Sequence, residues 1–204
     1  MIDNKAILIP DATYHIYNRA NGNEILFAVD ENYRFFIEKY KYYISPIADT
    51  YCYCLMPNHF HFLIRIKSEK ELEKHIKTGS NLTGFQNLSG LLAKQFSNFF
   101  NSYSKAINKQ QNRKGSLFIR PFKRKRITDE KYMQKLIHYI HYNPVNAGLA
   151  DRPEEWQHSS FKDIINESRT GFILKDEIIS WFDDRENFIY CHRFPPKETG
   201  IENI

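Results

Sequence analysis

The sequence predicts an α+β fold, an antiparallel sheet with helices packed on it. Three observations carry this expectation. Two strand-like runs, residues 48–55 and 59–66, are separated only by Met56-Pro57-Asn58, so they pair as a hairpin. Stretches with helical spacing of apolar residues are interleaved with the strand-like runs. Because 48–66 is a hairpin, that interleaving favours a mixed antiparallel sheet over a doubly wound parallel one.

The elements follow in order. Residues 12–19, ATYHIYNR, are rich in β-branched and aromatic residues and read as a strand. Asn21-Gly22 signals a turn, with a short second strand expected in the following residues up to 29. In 30–44, Phe36, Ile37, Tyr40 and Ile44 recur at helical spacing, with Asp30 as the expected N-cap and Ser45-Pro46 beyond the end. After the hairpin come a short helix over 69–78 and a loop over 79–84. A long helix is expected over about 86–108, where Leu88, Leu92, Phe96, Phe99, Tyr103 and Ile107 form one apolar stripe. Gly115 breaks it, and 116–122, SLFIRPF, reads as another strand. Thr128-Asp129 opens a further helix, expected to stop before Asn143-Pro144, since a residue preceding proline disfavours helical geometry. The tail is less patterned, with a last helix near 174–183. There is no internal repeat and no low-complexity linker. The chain divides into a core over 1–128 and a C-terminal helical extension, 129–204, of the same domain.

The 204 residues suffice for one domain, and 42% hydrophobic residues suffice for a core. No apolar run reaches the roughly 20 residues of a membrane span. The first residues lack the pattern of a secretory leader. Three cysteines, Cys52, Cys54 and Cys191, form no even framework and no paired motif, so reduced thiols and a cytoplasmic setting are expected. The net charge is +5, and its distribution matters more than its size. Between 109 and 126 lie Lys109, Arg113, Lys114, Arg120, Lys123, Arg124, Lys125 and Arg126, with no acid among them. That is the footprint of a polyanion binder.

Residues 54–66, CLMPNHFHFLIRI, pose the sharpest chemical question. Side chains alternate faces along a strand, so His59 and His61 share one face and Phe60, Phe62 and Ile64 the other. Two neutral imidazoles side by side can hold one divalent cation, or they can be packed, satisfied histidines. The pair alone leaves both open, and a metal site needs a third donor. His15, in the first strand, and a polar residue of the long helix are both possibilities. His138 and His141 also stand at ligand spacing, three residues apart, although surface or packing roles are commoner. Tyr103 falls on the apolar stripe of the long helix, which by itself describes a core aromatic. Asn98, Asn101, Ser102 and Asn108 give it polar company, and the basic run begins six residues later.

Taken together, MPNHFHFLI, then Tyr103, Asn108, Arg113, Gly115, Leu117 and Phe118, then YIHYNPVNAGL and WQHSSF, resemble the IS200-like single-tyrosine transposases of the His-hydrophobic-His superfamily. The last two motifs, with YHIYNR near the start, are similar to its REP-associated branch. The resemblance covers about residues 12–161. It implies a ferredoxin-like core, with the histidine pair on a central strand and the tyrosine on a facing helix. It implies cleavage and rejoining of single-stranded DNA next to hairpins through a 5′-phosphotyrosine. On this sequence it implies Tyr103 as nucleophile and His59 and His61 as ligands of Mg²⁺ or Mn²⁺. Hairpin DNA is the partner it implies, and a homodimer is compatible with it. Relatives carry a polar metal-completing residue one turn after the tyrosine, where this chain has Ile107. Asn108 is the nearest substitute, although five residues rotate it by about 140° on a regular helix. Arg113, Lys114, Arg120 and Lys123 to Arg126 are the expected DNA contacts. The other reading of the same residues is a catalytically degenerate DNA-binding protein.

Overall fold

The computed structural model describes residues 6–76, 85–166 and 171–196. Its centre is a four-stranded antiparallel sheet in the order β2-β3-β1-β4, built from β1 (Thr13–Arg19), β2 (Ala48–Met56), β3 (His59–Ile66) and β4 (Lys123–Ile127). Helix α1 (Asp30–Tyr43) connects β1 to β2. Helices α2 (Glu69–Ile76) and α3 (Phe85–Gln110) connect β3 to β4. Strand, helix, hairpin, helix, strand in this order is the ferredoxin-like arrangement. The C-terminal part adds α4 (Glu130–Asn146), α5 (Phe161–Ile165), α6 (Lys175–Trp181) and α7 (Arg185–Cys191). The loop expected at 79–84 lies outside the described residues.

The sheet has two differently used faces. Helices α1 and α3 pack together on the face that carries Phe60 and Phe62. Phe36 of α1 is fully buried there against Phe60, Phe99 and Tyr103. The apolar stripe of α3 is therefore core, as periodicity suggests: Leu92, Phe96, Phe99, Tyr103 and Ile107 are all buried. Each buried aromatic or aliphatic side chain contributes about 1.5–3 kcal/mol of transfer free energy, so this face dominates the core. Helix α4 packs on the opposite face, over β2 and β3.

Several local expectations are corrected. Residues 21–29 form a loop, and Ala20 contributes only an isolated bridge to Phe118. The fourth strand is not 116–122 but the basic 123–127 that follows, paired with β1 in the register Tyr17–Lys123 and His15–Lys125. Two apolar residues of the 116–122 run, Leu117 and Phe118, are buried beneath it, so their hydrophobicity reflects loop packing. Helix α1 begins at Asp30 itself, and Asn32 does the capping work. Its side-chain oxygen accepts from the backbone N–H groups of Ala28 and Val29 at 3.1 and 3.3 Å. Helix α4 does not stop before Asn143 but runs on to Asn146 through Pro144. Asp129 caps its start, accepting from the Tyr132 N–H at 2.9 Å. Gly148, at φ +67°, closes its end, a conformation that glycine adopts without steric cost.

Candidate active site

His59 and His61 do share one face of β3, the face beneath α4. In the register of the sheet, Tyr17 lies opposite His61 and Arg19 opposite His59. On the other side Cys54 and Met56 flank the same two positions. His61 is buried at 2% exposure, its ring stacked near His15 and Tyr17, with His15 Nε2 2.9 Å from His61 Nδ1. His59 stands at the rim. Its Nδ1 is 2.7 Å from Asn58 Oδ1, which leaves Nε2 for another partner. A cleft of about 20 Å³ opens beside the pair, lined also by Tyr17, Arg19 and Lys123. That is room for one ion or one water.

The long-helix residues are not brought to this site. Tyr103 lies on the opposite face of the sheet, fully buried among Phe27, Phe35, Phe36 and Phe118. Its hydroxyl donates to the Leu26 carbonyl at 2.6 Å. Burial pushes this phenol far above its ordinary ionisation range, with Tyr33 adding to the effect. The expectation that Tyr103 faces the histidine pair is therefore corrected. The reason is geometric: Phe60 and Phe62 point to α3, so their strand neighbours His59 and His61 point away from it. Asn108 is likewise committed elsewhere. Its amide donates to the Gly115 carbonyl at 3.0 Å and its oxygen accepts from Arg113 at 2.6 Å, fastening the end of α3 to the next turn.

Helix α4 supplies what α3 does not. Tyr139 stands edge-on to His61, with ring centroids 5.7 Å apart. Four residues later, the Asn143 side chain lies beside the His59 ring, where it favours that ring's protonated form. Residues four apart lie on one helix face, so one face of α4 sets a phenol over one histidine and an amide over the other. Both residues are 8% exposed, and the amide nitrogen of Asn143 is buried without a hydrogen-bond partner among the described residues. Tyr139, Asn143, Tyr17 and Arg19 are not expected from the sequence as parts of this site, whereas His15, expected as a possible neighbour of the pair, does lie beside His61. A usable signal existed: YIHYN contains a tyrosine and an amide at the one-turn spacing that Tyr103 lacks.

Burial sets the electrostatics of the pair. It lowers the ionisation of His61 well below the ordinary imidazole value, with the nearby His15 and His59 rings adding to the shift. It lowers His59 as well, opposed by the Asn143 contact and reinforced by Arg19. His15 is pushed down to about 3 by burial, with Lys125 contributing. Three neutral imidazoles at neutral pH suit cation binding. Among the described residues no cluster of three or more His, Cys, Asp or Glu side chains is arranged around one metal position. A donor set of His59, His61 and the Asn143 amide oxygen still fits a divalent ion that accepts mixed nitrogen and oxygen ligands.

The basic run divides between the two faces. Lys123 and Lys125 lie on the histidine side, Lys123 over the Tyr17 ring at 5.6 Å and Lys125 2.8 Å from the Tyr132 hydroxyl. Arg124 and Arg126 alternate to the α3 side. Arg124 donates to the Ala6 carbonyl at 2.5 Å and covers the Phe122 ring, while Arg126 is exposed. Arg113 pairs with Glu24 at 2.5 Å, and Lys114 and Arg120 are exposed. His138 and His141 do not form a metal site. His141 is buried in a chain with His192 at 3.2 Å and Ser160 at 2.8 Å, and His138 contacts the Phe194 carbonyl at 2.9 Å.

No protein-family model matches the chain. A protein of Haemophilus influenzae, provisionally assigned as a REP-associated tyrosine transposase, is 27% identical over 113 residues. The match takes in 55% of this chain and 58% of that protein, so the chain spans little more than half the length of this curated relative. A solved structure of a REP-associated tyrosine transposase bound to a REP hairpin superposes with a TM-score of 0.58. It covers 84% of this chain and 90% of the other at 13% identity, a likeness of fold. In sequence and in fold, the chain is similar to the REP-associated tyrosine transposases.

Proposed function

We propose that this protein is a metal-dependent transposase or DNA-nicking enzyme. It cleaves and rejoins single-stranded DNA next to hairpins, and Tyr139, rather than Tyr103, is its nucleophile. One observation carries the reading: a single face of α4 places Tyr139 against His61 and Asn143 against His59. The similarity to transposases of the REP-associated kind supports the choice of substrate.

In this reading His59, His61 and Asn143 hold Mg²⁺ or Mn²⁺. Held there, such an ion would polarise the scissile phosphate and would offset charge in the transition state. Mn²⁺ suits the two imidazoles better than the harder Mg²⁺. The Tyr139 phenol loses its proton to solvent and its oxygen attacks phosphorus; the bond to the 3′ oxygen breaks, and that oxygen takes a proton from water to leave as a free 3′-hydroxyl. The phosphodiester energy is kept in the 5′-phosphotyrosine, so rejoining needs no nucleotide cofactor. An ordinary phenol ionises near 10, so its phenolate is scarce at neutral pH and help at the phosphate matters. Lys114, Arg120 and Arg126 are exposed and free to meet DNA phosphates, which gives binding a steep salt dependence.

The test is covalent trapping on a hairpin-bearing single-stranded oligonucleotide with Mn²⁺. Tyr139→Phe abolishes the protein–DNA adduct and keeps hairpin binding. An adduct that persists in Tyr139→Phe overturns the assignment. Hairpin binding without any adduct in the native protein favours the degenerate, binding-only reading.

A further inference from the structure

His15 is fully buried in the central strand β1, and the chemistry proposed above leaves it without a task. Its Nε2 lies 2.9 Å from Nδ1 of His61, while its own Nδ1 has no hydrogen-bond partner among the described residues. Its ring stacks on Tyr17 at 4.6 Å and on His61 at 5.1 Å, so packing fixes the plane in which it meets His61. We propose that His15 is a positioning residue that accepts the His61 Nδ1–H and so leaves the His61 Nε2 lone pair for a metal ion.

Two neutral imidazoles that meet through one nitrogen each share a single hydrogen between them. Only two arrangements exist. In the first, His61 Nδ1–H donates to His15 Nε2. His61 Nε2 then carries a lone pair, and the hydrogen of His15 sits on Nδ1. In the second, His15 Nε2–H donates to His61 Nδ1, and His61 Nε2 carries a hydrogen that blocks coordination. Metal binding selects the first arrangement. It leaves His15 Nδ1–H buried and unpaired. A ligating histidine ordinarily gives its second N–H to a carboxylate, a carbonyl or water. Here a second imidazole takes that place, and the sheet register that brings β1 beside β3 supplies it.

The inference rests on the metal reading of His59, His61 and Asn143, and the experiment separates the two. Mn²⁺ affinity is measured by calorimetry on the native protein and on His15→Phe, His15→Gln and His61→Ala, with thermal unfolding followed for each. Phenylalanine keeps the stack but has no acceptor, whereas the glutamine carbonyl restores one. His15→Phe weakens Mn²⁺ about 10–100-fold, and His15→Gln recovers most of the loss. Native-like affinity in His15→Phe overturns the role of His15 alone, as does a His15→Gln as weak as His15→Phe. Native binding no tighter than in His61→Ala overturns the metal reading and this inference with it. Side-chain ¹⁵N spectra of the native protein with Mg²⁺ provide a readout that does not depend on any variant folding. They show His61 and His15 both protonated at Nδ1, and a proton on His61 Nε2 overturns the proposal.

Discussion

Replacing Tyr103 with Phe separates a structural tyrosine from a chemical one. The change removes one oxygen from a site that is fully buried and whose hydroxyl donates to the Leu26 carbonyl at 2.6 Å. The ring and its packing stay in place, so no cavity term beyond one oxygen arises. The cost is the hydrogen bond, about 1 kcal/mol net, plus part of the penalty for a carbonyl left without its donor, for about 1–2 kcal/mol in all. For a chain of this size that lowers Tm by roughly 2–8 °C. Adduct formation with hairpin DNA below the transition stays at the native rate, because Tyr103 lies across the sheet from His59 and His61. Calorimetry and denaturing-gel trapping on the same preparation check both halves. A Tyr103→Phe protein that keeps its native Tm and loses the adduct refutes the assignment of the two tyrosines.

Asn143→Leu removes a proposed ligand together with a buried amide nitrogen that has no partner among the described residues. Mn²⁺ affinity falls about tenfold or more while stability, read by urea unfolding, changes by less than about 1 kcal/mol. Neutralising Lys123 and Lys125 together lowers the adduct rate. It also reduces the salt slope of hairpin binding by about one for each phosphate no longer neutralised, which a fluorescence titration across salt concentrations measures. Stability also depends on pH through His192, whose buried ring ionises only at about 3, chiefly because of burial, with His138 adding to it. The unfolded histidine ionises near 6.5, so between these values the unfolded state binds the extra proton. This contribution is complete well above about 6.5 and falls as pH drops, by about 1.4 kcal/mol at pH 5.5 from this residue. Urea midpoints at pH 7.5 and 5.5 check the direction, and an unchanged midpoint contradicts it.

The features legible in the sequence are those that local periodicity controls. Alternation along 59–66 is enough to put His59 and His61 on one face and Phe60 and Phe62 on the other. The stripe from Leu88 to Ile107 is enough to make a long helix with a buried face. The short link Met56-Pro57-Asn58 is enough to make a hairpin. Charge was legible too, but not its partition. That Lys123 and Lys125 reach the histidine side while Arg124 and Arg126 do not follows only once 123–127 is known to be a strand and its register with β1 is fixed.

Which helix covers which face is a different kind of fact. Tyr103 and Tyr139 both sit on apolar helical segments, and nothing within either segment says which side of the sheet receives it. The crossover from β3 to β4 puts α3 on the phenylalanine face, with α1, and that face is then full. Helix α4 follows the edge strand and has only the histidine face left to cover. Packing of elements far apart in sequence thus took the tyrosine expected as nucleophile into the core and brought Tyr139 and Asn143 to the histidines. Strand alternation alone gives the two imidazoles their common direction. The tertiary structure decided what they face, because side-chain alternation is a property of one strand and helix placement a property of the whole chain.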